Sequence, residues 1–181
     1  TAFKNRLYYW TGVDQNFYYS ASVDTFQGNF TKFPTGLVGT FGGNLIQIGT
    51  LTQDGGEGVD DLLTLIMSSG EVLVYSGTDP GASSFALVGT FRIAEPVNEP
   101  RAMAKLGGDL IVITKEGYLP LSQVFRQDLI GNKAQAISEK IRGTVISQVA
   151  ETGTSVGWQI HVSADGSKVY FNYPTGDSTD T

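Results

Sequence analysis

The sequence contains no cysteine, so no disulfide, thiolate metal cluster or cysteine nucleophile can form within it. A Cys-free chain works in either redox state, and compartment is not fixed by this. Histidine is nearly as scarce. His161 stands alone, which excludes a multi-histidine metal site built from one chain. Charged residues make up only 17%, and they are unbalanced: 12 Lys and Arg against 18 Asp and Glu leave a formal charge of −6, with a pI near 4.6. No run of Lys or Arg exceeds two residues. A surface of that sign repels phosphate, which argues against tight nucleic-acid binding but not against DNA passing close by. Long apolar runs are missing too. No stretch approaches the roughly 18–20 apolar residues of a membrane helix, and no signal peptide is visible. The chain opens Thr1-Ala2-Phe3 without an initiating Met, which leads us to expect a piece of a longer protein or a processed product.

What is present is the composition of a β-rich globular protein. Hydrophobic residues reach 40% and aromatic residues 11% of 181, and Gly occurs 23 times. Short apolar runs rich in Val, Ile, Leu, Tyr and Phe recur between Gly, Asp, Asn and Ser. They predict strands at 6–10, 17–23, 37–41, 45–50, 61–67, 71–76, 85–92, 103–106, 109–114, 117–121, 157–163 and 168–173. Hairpin turns are expected where Gly and Asn or Asp tolerate positive φ: Phe41-Gly42-Gly43-Asn44-Leu45, Leu106-Gly107-Gly108-Asp109-Leu110, Ser68-Ser69-Gly70-Glu71, Lys115-Glu116-Gly117 and Ala164-Asp165-Gly166-Ser167. Consecutive hairpins make antiparallel meanders.

Two internal echoes accompany these turns. Leu37-Val38-Gly39-Thr40-Phe41 returns as Leu87-Val88-Gly89-Thr90-Phe91, an offset of 50. Residues 42–48 are echoed at 107–113, an offset of 65. A four-stranded propeller blade takes about 40–50 residues, so the first offset fits and the second does not. An insertion at 92–102, with Pro96 and Pro100, accounts for part of the difference. On this reading 45–92 is one complete blade and 103–121 begins another. A closed propeller has about four to eight blades, and this chain has room for roughly three. An open fragment, an incomplete propeller and a sandwich therefore all stand.

One segment has a different period. Ile130, Ala134, Ile137, Ile141, Val145 and Val149 are spaced three or four apart, predicting an amphipathic helix over 132–150 with Asn132 as N-cap. Lys133, Glu139, Lys140 and Gly143 fall on its other face. Gly143 is either a point of close backbone approach or a tolerated surface glycine. The organisation expected is thus N-terminal strands at 1–36, blade-like meanders at 37–125, a helix region at 126–152, and a C-terminal hairpin with a polar tail at 153–181. The fold class is mainly β: antiparallel meander sheets, propeller-like blades and one amphipathic helix.

Residues able to carry chemistry are few. Alternation in Trp158-Gln159-Ile160-His161-Val162-Ser163 puts His161 on the polar face of a strand, and no Gly-x-Ser-x-Gly elbow accompanies it. The loop 54–61 gathers Asp54, Glu57, Asp60 and Asp61 among glycines. Calcium favours such ligands, but their spacing departs from the EF-hand pattern, so the loop is read as solvated. Asp165-Gly166 lies in a run that half resembles the Asp-box of sialidases and departs from its spacing; its role is read as turn formation. The rings of Tyr8-Tyr9-Trp10 and Phe17-Tyr18-Tyr19 are assigned to packing rather than to stacking on sugars or bases. No catalytic, cofactor or metal-ligating residue is assigned, and the chain is expected to be no enzyme.

Several phrases, taken in order, carry a resemblance. They are Asp54-Gly55-Gly56 through Asp60-Asp61-Leu62; Ser69-Gly70-Glu71-Val72 with Tyr75-Ser76-Gly77-Thr78-Asp79-Pro80; Leu87-Val88-Gly89 with Phe91-Arg92-Ile93; Gly107-Gly108-Asp109-Leu110 with Leu119-Pro120-Leu121-Ser122; and Lys140-Ile141-Arg142-Gly143. Over 37–143 this order resembles the tail hub or nozzle proteins of short-tailed bacteriophages, also called packaged-DNA stabilisation proteins. The resemblance implies a propeller-like body, a ring of identical copies below the portal, and a place in the virion tail. The implied partners are other tail and portal proteins, with DNA passing and not gripped, and no membrane. It implies no catalytic residue. Two other readings stay open: a carbohydrate- or protein-binding propeller module of a secreted bacterial protein, and a glycosidase fragment using Asp60 or Asp61.

Overall fold

A computed structural model describes residues 1–24, 27–54, 59–125 and 136–175, with Gln53, Asp54, Val59 and Asp60 described in backbone only. The chain divides into two units, Thr1–Arg92 and Ile93–Thr181.

The first unit contains two four-stranded antiparallel meanders. One is built from β1 (Ala2–Phe3), β2 (Arg6–Trp10), β3 (Asn16–Tyr19) and β4 (Thr31–Pro34), in that order. The β1–β2 turn is the tightest. Lys4 and Asn5 both take positive φ, 43° and 64°, the left-handed pair that matches strand twist in a two-residue hairpin. The second meander is β5 (Leu45–Asp54), β6 (Val59–Met67), β7 (Glu71–Ser76) and β8 (Ala86–Arg92), again in sequence order. It is the four-stranded antiparallel meander expected at 45–92. Ser68-Ser69-Gly70 turns β6 into β7, with Gly70 at φ +85°.

The core of this unit draws on both meanders. Phe3, Tyr8, Phe17 and Tyr19 meet Leu45, Ile48, Leu63, Leu65, Met67, Leu73, Tyr75 and Phe85, with Trp10 and Phe33 packed against them. Phe17 and Phe33 stack at 4.7 Å, Tyr75 and Phe85 at 4.8 Å. Each buried ring contributes on the order of 1.5–3 kcal/mol relative to exposure. Two backbone acceptors tie the sheets together: Trp10 Nε1 donates to the Ile46 carbonyl at 2.8 Å, and the Leu45 N–H to the Asp14 carbonyl at 2.7 Å. Arg6 reaches Asp79 at 2.8 Å and lies 5.7 Å from the Tyr19 ring centre, pinning the loop after β7.

The second unit holds β9 (Met103–Leu106), β10 (Asp109–Thr114) and β11 (Gly117–Pro120), a three-stranded meander followed at once by the short helix α1 (Leu121–Phe125). Asp109 fixes that helix: its carboxylate accepts from the Ser122 N–H at 3.0 Å and from the Ser122 hydroxyl at 2.5 Å. Helix α2 (Arg142–Thr152) and the hairpin β12 (Gln159–Val162) with β13 (Val169–Asn172) complete the unit. Val145 and Val149 of α2 pack with Ile111, Ile113, Tyr118, Trp158 and Ile160. Tyr118 of β11 stacks on Phe171 of β13 at 3.9 Å, closing the small sheets over their core. Trp158 Nε1 donates to the Thr152 carbonyl, which ends α2 on a buried ring.

Three expectations need correction. No strand forms at 37–41. A 3₁₀ turn at Thr35–Leu37 precedes a loop, and Thr35 O accepts from the N–H groups of Val38 and Gly39. Phe41–Leu45 accordingly leads into β5 and is not a hairpin, so the repeat offset of 50 pairs a loop with strand β8. Strand β3 stops at Tyr19, because the Ser20 hydroxyl accepts the Leu7 N–H and donates to Ser22 O. The helix is shorter than 132–150: a 3₁₀ turn at Glu139–Ile141 leads into α2 at Arg142. Ile137 donates its N–H to the Tyr118 carbonyl, and Tyr118 returns one to Ser138 Oγ, so 137–138 lies against β11. Ile137 and Ile141 are exposed and Val145 and Val149 buried, so the expected apolar face survives only in its second half. Ile130, Asn132, Lys133 and Ala134 lie outside the described residues. Among the described residues an added Cβ on Gly143 would meet nothing within 4 Å, which favours the tolerated surface glycine. No helix among the described residues is long and apolar enough to cross a membrane.

Candidate functional site

The residues singled out for chemistry lie on separate elements: Asp61 on β6 of the first unit, His161 on β12 and Asp165 in the β12–β13 turn of the second. His161 is exposed on β12, directly opposite Tyr170 on β13, with ring centres 6.4 Å apart. Ser163, two residues on, is committed to the turn: its hydroxyl bonds Asp165 at 2.6 Å and accepts the Lys168 N–H at 2.9 Å. Asp165 also takes the Ser167 hydroxyl and N–H, at 2.7 and 3.1 Å. Those donors, Ser163 foremost, hold its carboxyl down at about 2, as expected for an ionised turn residue bonded from several sides. Asp61 accepts from the Thr52 hydroxyl at 2.7 Å. Residues 55–58 and the side chains of Asp54 and Asp60 lie outside the described residues. Among the described residues no three His, Asp or Glu side chains gather as a metal site would require.

The aromatic cluster divides by alternation. Tyr8, Phe17 and Tyr19 are core; Tyr9 faces out and packs edge-on against Phe30 at 4.8 Å. The Tyr8 and Tyr75 hydroxyls are buried without a hydrogen-bond partner among the described residues. Burial pushes the Tyr8 phenol up to about 12 and also raises that of Tyr75. Neither hydroxyl is placed for proton transfer with another described side chain.

The arrangement that stands out is on the β7–β8 side of the first unit, and it is a surface. Among the described residues β8 has one ladder partner, β7. Its exposed residues include Leu87 and Val88, the latter 58% exposed, and Arg92 is its one charged residue. The pairing slips between Val74 and Tyr75, leaving Val88 as the extra residue of a bulge. A bulge bends an edge and limits strand addition, so any partner strand has the Gly89–Arg92 half to pair with. Arg92 lies over the Phe41 ring, 4.4 Å from its centre. The loop bearing Phe41 also exposes Val38 and Leu37, the last at 85%.

This loop is held by a residue that sequence reasoning passes over. Glu71 opens β7 and is completely buried. Its carboxylate accepts the Thr40 N–H at 2.9 and 3.1 Å and the Phe41 N–H at 3.1 Å. The available signal is a lone acidic residue at the head of an otherwise apolar strand, Glu71-Val72-Leu73-Val74-Tyr75. The turn chemistry of Gly70-Glu71 masks it. Chemically the surface offers backbone edge, apolar side chains and one guanidinium.

No family model matches the chain, and neither the curated proteins nor the solved structures contain a match.

Proposed function

We propose that the chain is a non-catalytic structural part of a phage tail, a hub or nozzle component that assembles as a ring along the DNA exit path of the virion. The observation that carries this reading is the β5–β8 meander. Two of the phrases that resemble hub proteins, at 69–80 and 87–93, run from the β6–β7 turn through parts of β7 into the following loop, and along the edge strand β8. A blade whose outer strand exposes Leu87 and Val88 has a reason to be covered by a neighbour. Asp61, which accepts from the Thr52 hydroxyl, and Asp165, taken up by the hydrogen bonds of its own turn, each have a structural use, which supports a structural role over the glycosidase alternative. Partners on this reading are portal and tail proteins, and DNA passes an acidic wall without being gripped.

The test is assembly. The protein in its natural length, mixed with the portal of the same phage, is expected to give rings by electron microscopy and a sedimenting complex. A protein that stays monomeric in that mixture overturns the ring reading. Binding on a glycan array instead would favour the carbohydrate-binding module.

A further inference from the structure

The buried carboxylate of Glu71 holds the loop beside the β8 surface, and what it holds is local. Its partners are the backbone N–H groups of Thr40 and Phe41. Gly39 allows the approach, since a Cβ there would sit 3.3 Å from Glu71 Oε2. Around it, β6 carries no charged residue between Leu62 and Met67, the turn Ser68–Gly70 carries none, and neither does the loop 35–44. Among the described residues of these elements the charge comes from β8. Arg92 pairs opposite Glu71 in register and rests its guanidinium on Phe41, so it is tied to the same loop. Beyond Phe41 the chain is held separately: Ser69 Oγ donates to Gly42 O at 2.8 Å and the Asn44 N–H to Ser68 Oγ at 3.0 Å.

We propose that Glu71 is a proton-operated latch that fixes the 38–41 loop, and with it the exposed Val38 and Phe41, while ionised, and releases it on protonation. An ionised carboxylate presents acceptors on both oxygens, and Glu71 uses both toward one stretch of backbone. Protonation turns one oxygen into a donor facing N–H groups that are donors themselves. It also takes away the charge that makes these hydrogen bonds the stronger kind. The loop keeps the 3₁₀ bonds from Val38 and Gly39 to Thr35 O on one side, the Gly42 and Asn44 hydrogen bonds on the other, and the Arg92 guanidinium over the Phe41 ring. It therefore loosens between these anchors without unravelling the sheet.

The experiment is an NMR pH titration of the protein with amide hydrogen exchange read residue by residue, together with Glu71→Gln. In the wild type, the Thr40 and Phe41 amide signals are expected to move with the Glu71 side-chain carboxyl signal, with Asn44 unaffected. In Glu71→Gln at neutral pH, Thr40 and Phe41 are expected to exchange roughly tenfold faster or more, because an amide N–H₂ replaces one acceptor. Three results would overturn the latch: unchanged Thr40 and Phe41 exchange in the variant, loop signals indifferent to protonation of Glu71, or loss of all tertiary signals at the pH where Glu71 titrates. If the variant does not fold, the wild-type titration still decides.

Discussion

At the scale of the residue, the C-terminal hairpin turns on one carboxylate. Asp165 is fully exposed, yet four hydrogen bonds from Ser163, Ser167 and its own backbone region keep it ionised down to about pH 2 against an ordinary value of 3.8. The folded value lies below the unfolded one, so its contribution to stability is present above about pH 4 and is lost as pH falls toward 2. Ser163 provides the largest share. Ser163→Ala is expected to return the Asp165 midpoint toward 3.8, read by carboxyl NMR; a midpoint that stays near 2 would show that the Ser167 hydrogen bonds suffice. In the core the reverse situation holds at Tyr75, whose hydroxyl is buried and unpartnered among the described residues while its ring stacks on Phe85. Tyr75→Phe keeps the stack and deletes the unsatisfied group. It is expected to leave stability unchanged or to raise it by up to about 1 kcal/mol in chemical denaturation. A decrease of more than that amount would reveal a bond the hydroxyl makes in solution.

At the scale of the element, the strands are largely legible because they rest on local chemistry. Alternating or continuous apolar runs bounded by Gly-centred turns place β2, β7, β9 and β10 at the residues where they occur. The misses share a different cause, a partner distant in sequence. Leu37–Phe41 has strand composition, but Glu71, some thirty residues on, takes the N–H groups of Thr40 and Phe41. Ile137 fits a helical period, but its N–H goes to Tyr118 O. The two-residue β1 and the Pro-ended β4, with its Lys32, carry too little apolar signal to be seen. The Tyr118 region also gives a sharp test. Gly117 has φ +141°, and a Cβ there would lie 2.6 Å from Ser138 Oγ and 3.0 Å from the Ala136 methyl. Gly117→Ala therefore meets both backbone strain and a clash, and is expected to cost about 1–3 kcal/mol in urea unfolding. Gly107→Ala is the control, with positive φ and open space around it; equal costs for the two would assign the whole effect to φ.

At the scale of the whole molecule, the candidate site is less legible than the fold, because the assembly surface we propose has no motif: Leu87, Val88 and Phe41 read as strand residues, and their exposure marks them. Charge, by contrast, is legible from composition alone, and it leads to a prediction about DNA. Nonspecific affinity comes mainly from cations that displace counterions from phosphates, and typical dissociation constants are roughly 10⁻⁴–10⁻⁶ M. Here a formal charge of −6 opposes approach. Several cations are also committed to carboxylates: Arg6 to Asp79, Lys115 to Glu95, and Arg142 to Glu116 at 3.2 Å. Arg92 is engaged with Phe41. Duplex DNA should therefore run unshifted in an electrophoretic assay at micromolar protein in about 0.15 M salt, where surface charges are screened beyond roughly 8 Å. Lowering the salt should not rescue binding, because weaker screening lengthens the reach of the acidic surface as much as that of any single cation. A shift at submicromolar protein would mean that a basic stripe exists despite the composition, and the reading of the chain as a passive wall beside DNA would fall.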